Sequence, residues 1–212
     1  MIEKLFIKKA ISKKQIEEYL EKKFEKAGYS RSEIERTPLG TRIIIYAHKP
    51  ALVIGRSGRR LQEIAKEIME KFNLENPMID VREIENPFLD ARIVARRIAK
   101  AIERGINYKR VCNYYLTKIL EAGAVGATIR VSGKIIGKQR SRFQKFKDGF
   151  IVHSGHYLKT LVDKAQTQAL IGVGIIGVEV KIMKEMPKEL EIEKKVEKSE
   201  GVEDKRIEEA EG

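Results

Sequence analysis

The stretch Val53-Ile54-Gly55-Arg56-Ser57-Gly58-Arg59-Arg60 decides how the first half of this 212-residue chain is read. Two glycines separated by two residues are common as a plain turn, so the flanks carry the argument. Upstream, Ile43-Ile44-Ile45-Tyr46 is a β-branched and aromatic run, and it predicts a buried strand over Thr41–Ala47. Pro50 opens a short helical turn through Ile54. Downstream, Leu61, Ile64, Ala65, Ile68, Met69 and Phe72 recur at i, i+3, i+4, i+7, i+8 and i+11, the spacing of an amphipathic helix. Met78–Glu83 then predicts another strand. The glycines therefore stand between a short helix and the start of a long one. Lacking Cβ atoms, they let a phosphodiester approach the backbone closely. Amide N–H groups at the following helix N-terminus point at that phosphate, and Arg56, Arg59 and Arg60 add charge beside it.

Working outward, Ser12-Lys13-Lys14-Gln15 reads as a capping box. It would open a helix with Ile16, Tyr19, Leu20, Phe24 and Ala27 on one side and Gly28 as its stop. A strand at about Glu33–Arg36 and a turn at Pro38-Leu39-Gly40 lead into Thr41–Ala47. Over residues 13–84 this order resembles a type II KH module, which clamps about four nucleotides of a single strand at its GxxG loop. Asn86-Pro87 reads as a linker.

The second half has a different pattern. Asp90 can cap a helix carrying Ala91, Val94, Ala95, Ile98 and Ile102, and Gly105 breaks it. A second helix over about Tyr108–Glu121 repeats the spacing with Val111, Cys112, Tyr115, Leu116, Ile119 and Leu120, and Gly123 ends it. Strands are expected at Ala127–Ser132, Phe150–Ser154, about Thr160–Leu170 and Val178–Met183. The expected fold class is α+β. An N-terminal type II KH domain over 1–86 precedes a second α+β domain over 87–184, with two helices packed on a four-stranded sheet. An acidic, disordered tail over 185–212 completes the chain.

Charge narrows the partner. Lys plus Arg total 43 and Asp plus Glu total 31, for a net charge of +12. Residues 185–212 hold eleven acids against six bases, so the tail is −5 and residues 1–184 carry +17. A body so basic points to a polyanion. The single cysteine, Cys112, excludes an intramolecular disulfide framework and fits a reducing compartment. No segment approaches the roughly 18 apolar residues of a membrane helix, and the N-terminus has no signal-peptide apolar region.

Two further groups of cations stand out. In Ser132–Lys147, the residues Lys134, Lys138, Arg140, Arg142, Lys145 and Lys147 meet no acid until Asp148, with Phe143 and Phe146 interleaved. A basic loop with aromatic faces can hold phosphates and stack bases. Arg92, Arg96 and Lys100, with Arg97 and Arg104 nearby, make a possible basic helix face, and Lys109 and Arg110 start the next helix. Other motifs lack their context. Gly172-Val173-Gly174-Ile175-Ile176-Gly177 matches G-x-G-x-x-G but leads into a strand, so it reads as a hairpin turn. His153 and His156 have no further ligands for a metal. No catalytic constellation, cofactor or metal site is expected.

Four segments together resemble the family of the universal third protein of the small ribosomal subunit, in its archaeal and eukaryotic form. They are the GxxG stretch; Leu120–Gly126 followed by Val131-Ser132-Gly133-Lys134; Asp148–Gly155; and Gly174–Ile182. The resemblance covers about residues 5–184. It implies a structural RNA-binding protein of the subunit head, not an enzyme. Its partners would be small-subunit rRNA, neighbouring head proteins and mRNA at the channel where it enters the subunit, all in the cytoplasm. Bacterial relatives carry three basic residues at the start of the second helix of the second domain, and these help unwind mRNA. Here those positions read Lys109, Arg110 and Asn113, two basic and one not. Two other readings remain at this point: a lyase acting on abasic DNA, which needs a lysine of lowered pKa, and a stand-alone KH regulator.

Overall fold

The computed structural model describes residues 2–37, 40–72, 74, 76–135, 140–172 and 174–187, without the side chains of 2, 3, 5, 6, 8 and 9. The chain divides into two compact units, residues 1–93 and 94–212.

The first unit begins with helix α1 (Ile2–Lys23), followed by a 3-10 turn over Glu25–Ala27 that Gly28 ends with φ 73°. The capping box at Ser12 is not a helix start, because α1 runs straight through it. No glycine or proline precedes Ser12 to break the helix, and the Lys, Glu and Leu around it are good helix formers. Strands β1 (Tyr29–Thr37) and β2 (Gly40–Ala47) pair antiparallel, with Pro38 and Leu39 of the expected turn outside the described residues. After α2 (Pro50–Ile54) and α3 (Arg59–Phe72), strand β3 (Met78–Glu83) returns parallel to β2. The sheet order is β1-β2-β3. Ile16 and Leu20 of α1, Phe24 just after its end, Ile64 and Ile68 of α3, and Ile43 and Ile45 of β2 form one buried core. These are the helix-face and strand positions that the periodicity marks.

Asp90 caps α4 (Ala91–Glu103), accepting from the backbone N–H groups of Arg92 at 3.0 Å and Ile93 at 3.1 Å. Asn107 caps α5 (Tyr108–Glu121), accepting from the Lys109 N–H at 3.0 Å. The strands β4 (Gly126–Gly133), β5 (Arg142–Gly149), β6 (Val162–Ile171) and β7 (Gly174–Met183) form an antiparallel sheet in the order β5-β4-β7-β6. A short helix, α6 (Tyr157–Thr160), precedes β6. Ala127, Ile129 and Val131 of β4 and Val178, Val180 and Ile182 of β7 are buried, as are Val111, Cys112, Leu116 and Ile119 of α5.

Two strand assignments change. The basic segment is not all loop, since β5 occupies Arg142–Gly149. Its cations fall on both strand parities and so hide the alternation. Phe150–Ser154, expected as a strand, is irregular. At Gly149 the chain turns with φ 71°, and the Phe150 N–H bonds the Val125 carbonyl at 3.2 Å. A Cβ on Gly149 would lie 2.4 Å from the Val125 oxygen, so the chain can leave the sheet there because the residue is glycine. Ile151 then buries with Val162 and Met183 over one end of the sheet.

Candidate nucleic-acid interface

The GxxG turn is made of left-handed backbone. Gly55 has φ 74° and ψ −175°, Ser57 has φ 52°, and Gly58 has φ 72°. The Gly55 N–H closes α2 on the Ala51 carbonyl at 3.0 Å. The glycines serve different ends. A Cβ on Gly55 would sit 2.7 Å from the Arg60 Cβ, while one on Gly58 would meet nothing within 4 Å. Gly55 is packed against the start of α3, whereas Gly58 leaves open space on the turn. Arg56, Ser57 and Arg59 are exposed. Arg60 is exposed as well, but its guanidinium donates to the Leu52 carbonyl at 3.1 Å and lies 6.0 Å from the Phe24 ring centroid. It ties α2 to α3 in addition to carrying charge.

In the second unit, Lys134 lines a cavity of about 250 Å³ together with Asn107 and Tyr108. The structure thus brings Lys134 to the start of α5, where Lys109, Arg110 and Asn113 are exposed. The positive end of the α5 dipole reinforces these cations.

Strand register sorts the remaining candidates. Tyr108 Oη donates to Gln144 Oε1 at 2.9 Å, and the Tyr108 ring meets Phe146 edge-on at 6.4 Å. Gln144 and Phe146 therefore face α5. Arg142 shares their parity, while Phe143, Lys145 and Lys147 point to the opposite face. There, Arg130 pairs with Lys145 and Thr128 with Lys147 across β4, Lys181 follows on β7, and Lys164 on β6. Arg130 stacks 4.7 Å from the ring centroid of Phe143, which is 66% exposed. Glu179, on the same face, accepts from Lys164 Nζ at 3.2 Å and forms an ion pair with Lys181 Nζ at 3.6 Å. Burial pushes its carboxyl up, but the Lys164 hydrogen bond and the charges of Lys164, Lys181 and Arg130 outweigh this and hold it below the usual range. His153 is held below its ordinary value by desolvation and by Lys145, Lys147 and Lys181.

Arg140 is exposed just before β5, and Lys138 lies outside the described residues. The basic face of α4 does not form. Arg96 is 7% exposed, and Arg92 Nη1 donates to the Ser30 carbonyl at 2.7 Å. Sequence reasoning missed Arg130, Lys164 and Lys181 because they are scattered over three strands, and pairing alone reveals that they share a face. Among the described residues with assigned burial, no lysine is buried. Burial pushes the Cys112 thiol up to about 12, which leaves it without thiolate at neutral pH.

An α-β-β-α-α-β unit with a GxxG turn, followed by a helix-backed antiparallel sheet, defines a two-unit protein built on an RNA-binding module. Comparison with known proteins places both halves. Residues 15–89 match the KH domain family, and residues 98–182 match the C-terminal domain of ribosomal protein S3. The small ribosomal subunit protein uS3 of Methanocaldococcus jannaschii is 42% identical over 184 residues, 87% of this chain and 88% of that protein. The uS3 proteins of Hyperthermus butylicus (43% identity, 87% of this chain and 74% of that protein) and Methanococcus aeolicus (40%, 86% and 88%) are similar to it as well. The chain belongs to the uS3 family of ribosomal proteins.

Proposed function

We propose that this chain is a structural component of the small subunit of the cytoplasmic ribosome. It sits in the head, binds rRNA and helps form the channel where mRNA enters. Membership of the uS3 family supports the placement in the subunit. The observation that carries the RNA-binding part is the open GxxG turn, with free space above Gly58 and the exposed Arg56 and Arg59 on either side. Lys134, Lys109 and Arg110, gathered at the start of α5, support a second contact with a strand under tension during translocation. Grip there is electrostatic: cations hold phosphates while displaced counterions are released. Asn113 makes that grip weaker than three cations would. Arg140, Arg142, Lys145 and Lys147 extend the rRNA contact around β5.

Sedimentation of a cell lysate through a high-salt density gradient tests the reading. Co-migration of the protein with the small subunit is expected. Recovery of all of it in the free fractions would overturn the ribosomal placement.

A further inference from the structure

The outer face of the second-unit sheet contains a pocket that neither the GxxG turn nor the start of α5 accounts for. It encloses about 120 Å³ and is lined by Thr128, Arg130, Lys145, His153, Glu179 and Lys181. Thr128 is 4% exposed and the most deeply buried of these. Its hydroxyl is shut off from solvent and has no hydrogen-bond partner. Leaving such a group unpaired costs about 1–3 kcal/mol, and a native structure holds few of them. Register explains how it arises. Thr128 lies in β4 between Lys147 on β5 and Lys181 on β7. Lysines bring donors and no acceptor for the hydroxyl proton. Glu179 turns its Oε1 to Lys164 and Lys181 and makes no hydrogen bond with Thr128. What Thr128 lacks is an acceptor oxygen within reach of its hydroxyl, and Glu179 does not supply one.

We propose that this pocket takes one phosphate group of an RNA backbone, with Thr128 donating its hydroxyl and Arg130, Lys145 and Lys181 supplying the charge. The surroundings favour a strand over a lone ion. Lys147 and Lys164 continue the cationic face on either side, and the exposed Phe143 ring beside Arg130 offers a surface on which a base can stack. The inference rests on the reading of this chain as an RNA-binding protein.

The test measures affinity of the full chain for a labelled single-stranded RNA of about ten nucleotides over a range of salt concentrations. Thr128→Val should bind about tenfold more weakly. Its salt dependence should be unchanged, because a hydroxyl releases no counterion. Its thermal midpoint should be equal or higher, since an unpaired buried group has been removed. Thr128→Ser should restore affinity. Arg130→Gln should weaken binding and make the slope of log affinity against log salt shallower by about 0.7. Arg130 is exposed, so this variant carries the test should Thr128→Val fail to fold. Inorganic phosphate should compete with the RNA. If it fills the pocket without affecting RNA affinity, the site belongs to a free anion and the proposal fails. Wild-type affinity in Thr128→Val and Arg130→Gln, with affinity lost in Lys145→Gln/Lys147→Gln, overturns the pocket and leaves RNA binding intact. No loss in any of these variants overturns the RNA-binding reading of the whole face.

Discussion

The GxxG turn of the first unit and the outer sheet face of the second both present cations, but they are made differently. In the turn, backbone conformation comes first: Gly55, Ser57 and Gly58 hold positive φ, and the arginines decorate a shape already set. On the sheet the backbone is ordinary. Arg130, Lys145, Lys181 and Lys164 share a face because the register of four strands aligns them. A backbone-made site is compact in sequence and intolerant of substitution. A register-made site is spread over some fifty residues of chain, and each cation can be replaced singly with little effect on folding. The first kind leaves a motif, whereas the second leaves none.

The largest effect should come from attacking the turn. Gly55→Ala places a Cβ against Arg60 in a backbone region that only glycine occupies readily, and should cost about 3 kcal/mol in urea unfolding. Gly58→Ala has open space and should lose only about 1 kcal/mol, from its left-handed φ. Equal costs would erase the distinction drawn between the two glycines.

The sheet face should behave in the opposite way. Lys145→Gln/Lys147→Gln should leave stability within about 0.5 kcal/mol of the parent. It should also make the salt dependence of RNA binding shallower by about 1.4, two phosphates' worth for a single strand. An unaltered slope would remove these lysines from the interface.

Glu179 sharpens the contrast by testing the face's acid. Its carboxyl is held below the ordinary value, so its contribution to stability is present above the unfolded-state pKa and is lost as pH falls through the folded one. Glu179→Gln should therefore flatten the acid limb of a thermal-midpoint profile. At neutral pH it frees Lys164 and Lys181 from their ion pairs and should tighten RNA binding about threefold.

The smallest effect is a titration. An NMR titration should put the His153 imidazole below its ordinary pKa, and Lys145→Gln should move it up by relieving one repulsion. A midpoint that ignores Lys145 would mean the two groups do not share the pocket.

The same difference explains what could be read from sequence. Pro50–Ile54, Met78–Glu83 and Tyr108–Glu121 emerge within their expected bounds because each is bounded by its own local signal. The Asp90 cap was legible for the same reason. The start of α1 was not, because a capping-box pattern inside a run of helix formers has nothing to interrupt. Strand β5 was hidden because a cation on each parity erases the two-residue period. Arg92 and Arg96 looked like a solvated face because charge spacing along a helix does not say which side is covered. The GxxG turn could be named from four residues. The pocket at Thr128 could not, because it exists only when β4, β5 and β7 lie side by side.

Among the described residues, strand β5 has a strand partner on one side only. A free edge invites pairing with another chain, and lysines along it discourage that pairing. Arg142, Lys145 and Lys147 would thus act before any nucleic acid is met. Cations along an edge disfavour edge-to-edge pairing of free copies. If the proposed RNA contact at β5 holds, the same few side chains would serve both solubility and grip.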